Sequence, residues 1–504
     1  MITETEKHIC QLIFYGIDHH LIEDADGYYC ANQIADMLNI SLSQDFVVEY
    51  IPYNDLDEIL DQLVLTGIDN HIITDSTIDK DILDTKLMGI LTPMPSIVNH
   101  TFSFVYKTSA EKATQWFYTM QKDVNYIRSS RIAKNRSWLY ESEYGTMEIT
   151  INLSKPELDP KSIAVMKHAQ SNSYPYDLLC EQNVGFAGNA MHPCRMNLRQ
   201  LTLTLGNEPW LIQYSPYAYF DQHCIILTKN RREMKISRQT FTCLCDFSDI
   251  FPHYMIGSNS DLPISGGSIL SHEHFQGGMH EFAMNRAPII KEVFFKGYEK
   301  VTAGIVNWPM SVLRLSSKNR NELICLCNEI LQAWLCYSDE ENMIYAYKDG
   351  ERHNTVTPIL HRKDDTYIME LVFRNNLTTK EYPLGYFHPH PALHHIKKEN
   401  IGLIEVMGLA ILPGRLQKEI NAVKAAILNH SDINSDDLCA PHAKWVLSWL
   451  YQYEDISEDN IDEILQKEIG KVFVQVLKDC GVFKTIQAFD RFLEHVNKQM
   501  NCQR

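Results

Sequence analysis

Apolar positions recur along the chain with two different periods, and each change of period marks a new element. Residues 1–90 are acidic, with apolar residues at helical spacing. Leu56, Ile59, Leu60, Leu63 and Val64 trace one stripe, which predicts a packing helix capped by Asn54 or Asp55 and ended by Gly67. Thr92-Pro93-Met94-Pro95-Ser96 breaks the pattern. Thr108-Ser109-Ala110-Glu111 reads as a capping box that opens a helix carrying Trp116, Phe117 and Met120. The period then falls to two. Met147–Leu153 alternates and is β-branched, so it predicts a strand, which Lys155-Pro156-Glu157 ends. Trp210–Tyr214 and His223–Thr228 predict two more strands around Ser215-Pro216-Tyr217. Ser237–Phe251 returns to helical spacing at Phe241, Leu244, Phe247, Ile250 and Phe251, which suits a helix packed on a sheet. A short strand, His253–Ile256, follows.

The second half repeats this order of strand, helix and strand. Gly304–Leu315 reads as a strand in which Pro309 argues for an edge or a bulge. Asn321–Tyr337 is a strongly apolar helix and Thr366–Phe373 a strand. Ile401–Leu412 is apolar on nearly every side and predicts a buried helix, broken by Pro413-Gly414. Leu416, Ile420, Val423 and Ile427 trace one face of a further helix. Residues 431–504 alternate acidic and apolar positions and read as helical packing. The whole is an α+β chain. At 504 residues it is too long for one ordinary core. Four segments are expected: a helical region over 1–92, an α+β domain over 93–300, a second α+β domain over 301–430 and a helical region over 431–504.

Charge narrows the partners. A net charge of −18 argues against nucleic acid, whose phosphates need a basic face. Against that field Arg128, Arg131, Lys134 and Arg136 stand out, either as a solvated basic face or as a phosphate or partner contact. Gly185–Arg195 is rich in small residues that let backbone approach a ligand. Arg195 and Arg199 could fork onto phosphate oxygens. His192 and Cys194 are weak grounds for a metal without a second ligand pair. The 13 cysteines form no paired framework and no C-x-x-C, which fits a reducing cytoplasm. The N-terminus lacks the basic and apolar regions of a signal peptide, and no apolar run reaches the roughly 18 residues of a membrane span.

The stretch with the most chemistry is Gly257–Gly278. A Gly/Ser/Asn-rich segment runs into Ser271-His272-Glu273-His274-Phe275-Gln276 and closes on Gly277-Gly278. If His272–Gln276 is extended, His272, His274 and Gln276 share one face. Imidazole is a competent nucleophile near neutral pH, and a primary amide can hold a phosphoryl oxygen without moving protons. A His-x-His pair also suits metal ligation or a satisfied polar strand. A second copy of the letters, Phe387-His388-Pro389-His390-Pro391, has no following glutamine and no preceding glycine-rich turn; its prolines predict a rigid turn, which either lines the pocket or is a second candidate for the nucleophile.

Asp261–Gly278 (D-L-P-I-S-G-G-S-I-L-S-H-E-H-F-Q-G-G) resembles the active-site signature of class II galactose-1-phosphate uridylyltransferases, within the histidine-triad group of nucleotide transferases and hydrolases. The likeness extends to Asn125–Trp138, Ile151–Glu157, His192–Arg199 and His394–Gly408. Class I enzymes carry His-Pro-His-x-Gln, where this chain has Glu273 in place of the proline. The resemblance implies two related histidine-triad-like halves with antiparallel sheets. It implies uridylyl transfer between UDP-glucose and galactose 1-phosphate, by double displacement through His274. Gln276 would stabilise the phosphoryl oxygens. His272 would orient the loop or meet the leaving phosphate. Arg195, Arg199, Asn259, Ser268, Lys397 and Lys398 are the implied substrate contacts. Relatives also suggest a homodimer. No cofactor is expected. The cysteine pair that binds zinc in class I has no counterpart, and Tyr367–Val372 lacks the histidines of an iron site, so no metal is expected either. The competing readings are a histidine-triad hydrolase or phosphorylase, which would carry a third histidine where Gln276 stands, and a nucleotide-sugar binding protein without turnover.

Overall fold

The computed structural model describes residues 2–154, 174–189, 192–267 and 269–502. The chain forms two compact units. The first comprises Met1–Lys134, Ser154–Thr204 and Glu208–Arg231; the second comprises Asn135–Leu153, Leu205–Asn207 and Arg232–Arg504. These limits differ from the four segments expected, because the chain leaves the first unit to contribute a hairpin to the second and then returns.

The first unit opens with the expected helices: α1 (Glu4–Asp18), α2 (Gly27–Met37), α3 (Leu56–Asp69), α4 (Thr77–Leu91), α5 (Pro95–Tyr106) and α6 (Ala110–Asp123). Their starts follow the capping rules. The Asp55 carboxylate accepts from the Glu58 N–H at 2.9 Å, and Ser76 and Ser109 cap α4 and α6 in the same way. The cap of α6 is thus one residue beyond the expected Thr108. The α3 stripe is buried at Ile59, Leu60, Leu63 and Val64. Gly67 corrects the sequence reading. It lies inside α3, and a side chain there would collide with Leu83 of α4, so it serves close helix packing rather than a cap.

The hairpin of β1 (Arg136–Ser142) and β2 (Gly145–Ile151) belongs to the second unit. The sequence foresaw β2 and missed β1. The residues expected to end β2, Lys155-Pro156-Glu157, lie outside the described residues. Back in the first unit, β3 (Leu201–Leu205, all but its last residue in this unit), β4 (Glu208–Tyr214) and β5 (Cys224–Thr228) are neighbours in that order.

The second unit is built on a sheet. Its strands are β6 (Met255–Gly257), β7 (His274–Gly278), β8 (Ile289–Val293), β9 (Thr302–Val306), β10 (Val312–Ser317), β13 (Asn354–Lys363) and β14 (Thr366–Asn375), with a small separate hairpin of β11 (Tyr347–Lys348) and β12 (Glu351–Arg352). They run side by side in the order β7-β6-β13-β14-β10-β9-β8, every pairing antiparallel. The expected single strand over Gly304–Leu315 is two strands, and Pro309 lies in the turn between them. The helix Arg238–Ile250 buries Phe241, Leu244 and Phe247, as its spacing requires. The helix Arg320–Cys336 sets Trp334 against Phe373 and Phe492.

Ile401–Leu412 is a second correction. It is a four-residue helix, Leu403–Val406, followed by β15 (Leu409–Leu412), which runs parallel to β2. Gly408 sits at φ +105°, a conformation that ends the helix. A parallel strand covered on both faces reads as continuously apolar, as a buried helix does. Among the described residues no helix is long and apolar enough to cross a membrane.

Candidate active site

The glycine-rich segment leaves β6 at Gly257 and returns as β7, which starts at His274. The strand therefore begins two residues later than the expected extended stretch. His274 and Gln276 share one face of β7. His272 instead lies in a turn, where its N–H donates to the Ile269 carbonyl at 3.1 Å. That turn places the His272 carbonyl 2.8 Å from Nδ1 of His274. A carbonyl only accepts, so Nδ1 carries the ring proton and the neutral imidazole holds its lone pair on Nε2. The His274 ring is buried, with 3% of its surface exposed. Gln276 stands opposite Gly257 in the β6–β7 register.

Two carboxylates tie down the segment around these residues. Glu273, at the place of the class I proline, is ion-paired with Arg232, and its N–H donates to the Arg232 carbonyl at 2.7 Å. Asp261 accepts from Arg352 at 2.8 Å, from the Thr355 hydroxyl at 2.5 Å and from the Ile236 N–H at 3.1 Å. Arg232, Arg352 and Thr355 were not singled out from the sequence. The one local signal was the basic run Lys229–Arg232, which the strand pattern overshadowed.

The expected substrate contacts separate. Arg195 lines a cavity of about 280 Å³ in the first unit, with Asn189, His192 and Tyr126. Its guanidinium lies over the Tyr126 ring at 5.6 Å. Among the described residues, its Nε, the Tyr126 hydroxyl and His192 Nδ1 are buried without a hydrogen-bond partner, an arrangement that invites a polar ligand. Arg199 is placed otherwise. Its N–H groups donate to the carbonyls of Thr92, Pro93, Met196 and Leu198, so it braces the exit of α4. Burial pushes its pKa down to about 10. Asn259 accepts the Leu403 N–H at 3.0 Å, which joins the glycine-rich segment to the 403–406 helix. Lys397 is buried beside Glu405 at 2.6 Å. Burial pulls the Lys397 pKa down, and Glu405 and Glu399 more than offset this, so the pKa stands above the ordinary lysine value. A substrate contact by Lys397 would have to break that pair. Lys398 is exposed. Ser268 lies outside the described residues.

The basic cluster is largely neutralised: Arg128 pairs with Asp84 at 2.9 Å, Arg131 with Asp81, and Arg136 with Asp462 at 3.1 Å. Among the described residues no group of three or more His, Cys, Asp or Glu could hold a metal ion.

The second histidine pair has oxygen on every ring nitrogen. His388 Nδ1 is 3.1 Å from the Pro389 carbonyl and Nε2 is 3.0 Å from Asn400 Oδ1. His390 Nε2 is 3.1 Å from the Tyr386 carbonyl, and its Nδ1 is 3.5 Å from the Asp479 carboxylate.

Residues 38–233 match the family described as galactose-1-phosphate uridyl transferase, N-terminal domain, and residues 247–447 match its C-terminal domain. A galactose-1-phosphate uridylyltransferase of Clostridium acetobutylicum is 46% identical over 96% of this chain and 98% of its own. One from Fusobacterium nucleatum is 46% identical over 97% of this chain and 98% of its own. A solved structure, yeast Ap4A phosphorylase Apa2, overlays 60% of this chain and 90% of its own at TM-score 0.33 and 11% identity, a likeness too slight to support any inference. With two matched domains and near-half identity over nearly its whole length, the chain belongs to the galactose-1-phosphate uridylyltransferase family.

Proposed function

We propose that the protein moves a uridylyl group from UDP-glucose to galactose 1-phosphate, giving glucose 1-phosphate and UDP-galactose, through a covalent uridylyl-His274. The observation that carries this reading is the His274 ring: its Nδ1 is held by the His272 carbonyl, which leaves the lone pair on Nε2. Nε2 attacks the α-phosphorus of UDP-glucose. The bond from that phosphorus to the bridging oxygen breaks, and its electron pair leaves with glucose 1-phosphate. A phosphate oxygen of galactose 1-phosphate then attacks the same phosphorus and restores the imidazole. Two steps at one site let it serve two sugars that differ at a single hydroxyl.

Gln276 donates its amide to the phosphoryl oxygens as charge builds there. The part of His272 in this proposal is its carbonyl, which orients the nucleophile. Arg195 is proposed as a substrate contact, supported by its partnerless Nε and the cavity it lines. Arg199, Asn259 and Lys397 act through the protein contacts described above. Lys398 and Ser268 rest on the resemblance alone. The resemblance also carries the homodimer and the cytoplasmic setting as parts of this proposal, and the acidic chain fits the absence of a nucleic-acid partner. A hydrolase reading is disfavoured by Gln276, which cannot titrate near neutrality.

The test is an assay with UDP-glucose and galactose 1-phosphate. Formation of UDP-galactose and glucose 1-phosphate in equal amounts supports the proposal. Release of UMP from UDP-glucose without transfer would identify a hydrolase, and binding without turnover would identify a carrier.

A further inference from the structure

The Phe387–Pro391 motif has no part in the reaction as proposed, yet it is built against the segment that delivers the nucleophile. His388 is 2% exposed. Its Nε2 faces Asn400 Oδ1 at 3.0 Å, and Asn400 Nδ2 donates to the Pro263 carbonyl at 2.8 Å. An amide that donates on one side presents its oxygen on the other, so the imidazole must be the donor to Asn400. The next residue of the segment is held as well: the Ile264 N–H donates to Asn376 Oδ1 at 2.7 Å. Gly385, at φ +134°, makes the close approach possible. A side chain there would lie 2.6 Å from Ile264 Cγ2 and 2.8 Å from His388 Cβ. On the other side of the segment, a side chain at Gly266 would strike the Ile401 carbonyl. The segment closes on itself through the Gly267 N–H and the Leu262 carbonyl at 3.1 Å. It then leads into the Ile269–His272 turn, whose carbonyl aligns His274.

We propose that His388 is a positioning residue: through Asn400 it clamps Pro263–Gly267, and so fixes the turn that orients His274. The second His-x-His of the chain thereby serves the first. The inference rests on His274 as the nucleophile. A positioning role differs from a fold role in what it changes. Loss of the clamp loosens the attack geometry, so it lowers kcat and leaves substrate binding nearly intact. It also predicts that any side chain able to donate to Asn400 will substitute for the ring.

The experiment compares His388→Leu, His388→Gln and Asn400→Asp in the full-length protein. It measures kcat and KM for transfer, and amide hydrogen exchange of Ser260–Gly267 by mass spectrometry. His388→Leu should lower kcat by about tenfold with KM for UDP-glucose changed less than about twofold, the size expected for one net hydrogen bond lost from the transition-state geometry. Exchange across Ser260–Gly267 should quicken. His388→Gln, which keeps a donor, should recover most of the lost kcat. Asn400→Asp still accepts from His388 but cannot donate to Pro263, so it should behave as His388→Leu does. Wild-type kcat or unchanged exchange in His388→Leu would overturn the proposal, as would a glutamine variant no better than leucine. If His388→Leu fails to fold, wild-type kcat and exchange in Asn400→Asp would overturn it instead. Failure of the nucleophile assignment reads differently: His274→Ala would then keep its turnover, whatever the exchange of the segment shows.

Discussion

Two histidine pairs in this chain share their spacing and differ in what their ring nitrogens face. In His272-Glu273-His274 the second ring begins a strand, and a backbone carbonyl fixes its Nδ1 proton. In His388-Pro389-His390 both rings sit in irregular backbone, and each of the four nitrogens faces an oxygen. At His388 the ring proton is on Nε2 and is donated to Asn400, and the Nδ1 that keeps the lone pair faces the Pro389 carbonyl at 3.1 Å, so neither nitrogen is set to attack phosphorus. The comparison teaches that the letters His-x-His carry no chemistry by themselves. The backbone decides, by setting which nitrogen keeps its proton.

The sharpest way to break the comparison is to remove one ring from each pair. His274→Ala should fold and lose transfer by about ten-thousandfold or more, since no neighbour replaces a covalent nucleophile. His390→Gln should stay near wild-type turnover. Steady-state assays of both variants check this; the reverse pattern would move the site to the second pair.

A smaller effect is expected at Gln276. Gln276→His should lower transfer by roughly a hundredfold, because removing one donor aimed at developing charge costs about 3 kcal/mol. It should also raise the ratio of UDP-glucose hydrolysis to transfer, since imidazole can give the acid–base help that an amide cannot. Release of UMP without galactose 1-phosphate, compared with transfer in both proteins, measures that ratio. A ratio no higher than wild type would mean that Gln276 does not set the choice between sugar phosphate and water.

A third pair of histidines sharpens the contrast through pH. His395 and His442 lie 5.3 Å apart in the second unit. Burial, and then His442, push the His395 pKa down to about 4, and burial lowers His442 too. The unfolded chain, with His395 near its ordinary value of about 6.5, binds its proton more readily than the folded protein does. The stability held by a neutral His395 is therefore present above that unfolded value and is lost as pH falls toward 4. Between pH 7 and pH 5 the loss should be about 2 kcal/mol for His395 alone. His395→Asn should show a shallower fall in thermal midpoint over that window. A parallel fall in both proteins would refute the assignment. The smallest effect is expected from chelation. Prolonged treatment should leave activity and thermal midpoint unchanged, and joint loss of metal and activity would contradict that.

What could be read from the sequence was what depends on neighbours in the chain. The α3 stripe, the Asp55 cap and the face shared by His274 and Gln276 follow from local period alone. What could not be read depends on distant partners. Asn259 bonds Leu403, and Arg199 bonds the exit of α4, a hundred or more positions away in each case. Nothing near Arg199 in the sequence distinguishes a guanidinium that binds carbonyls from one that binds phosphate. Strand β13 was missed because Pro358 breaks its pattern; the Pro358 carbonyl nonetheless accepts the Ser258 N–H at 3.0 Å. Strand β15 was read as a helix because burial on both faces removes the alternation that identifies a strand.

The most direct test of the uridylyl-histidine is intact-protein mass spectrometry with UDP-glucose as sole substrate. The account predicts release of one glucose 1-phosphate per site, and a gain of one uridylyl group on His274. The adduct should be acid-labile and alkali-stable, as a phosphoramidate is, and galactose 1-phosphate should discharge it. An unshifted mass in an enzyme that carries out transfer would contradict the account and point to direct displacement between the two sugar phosphates.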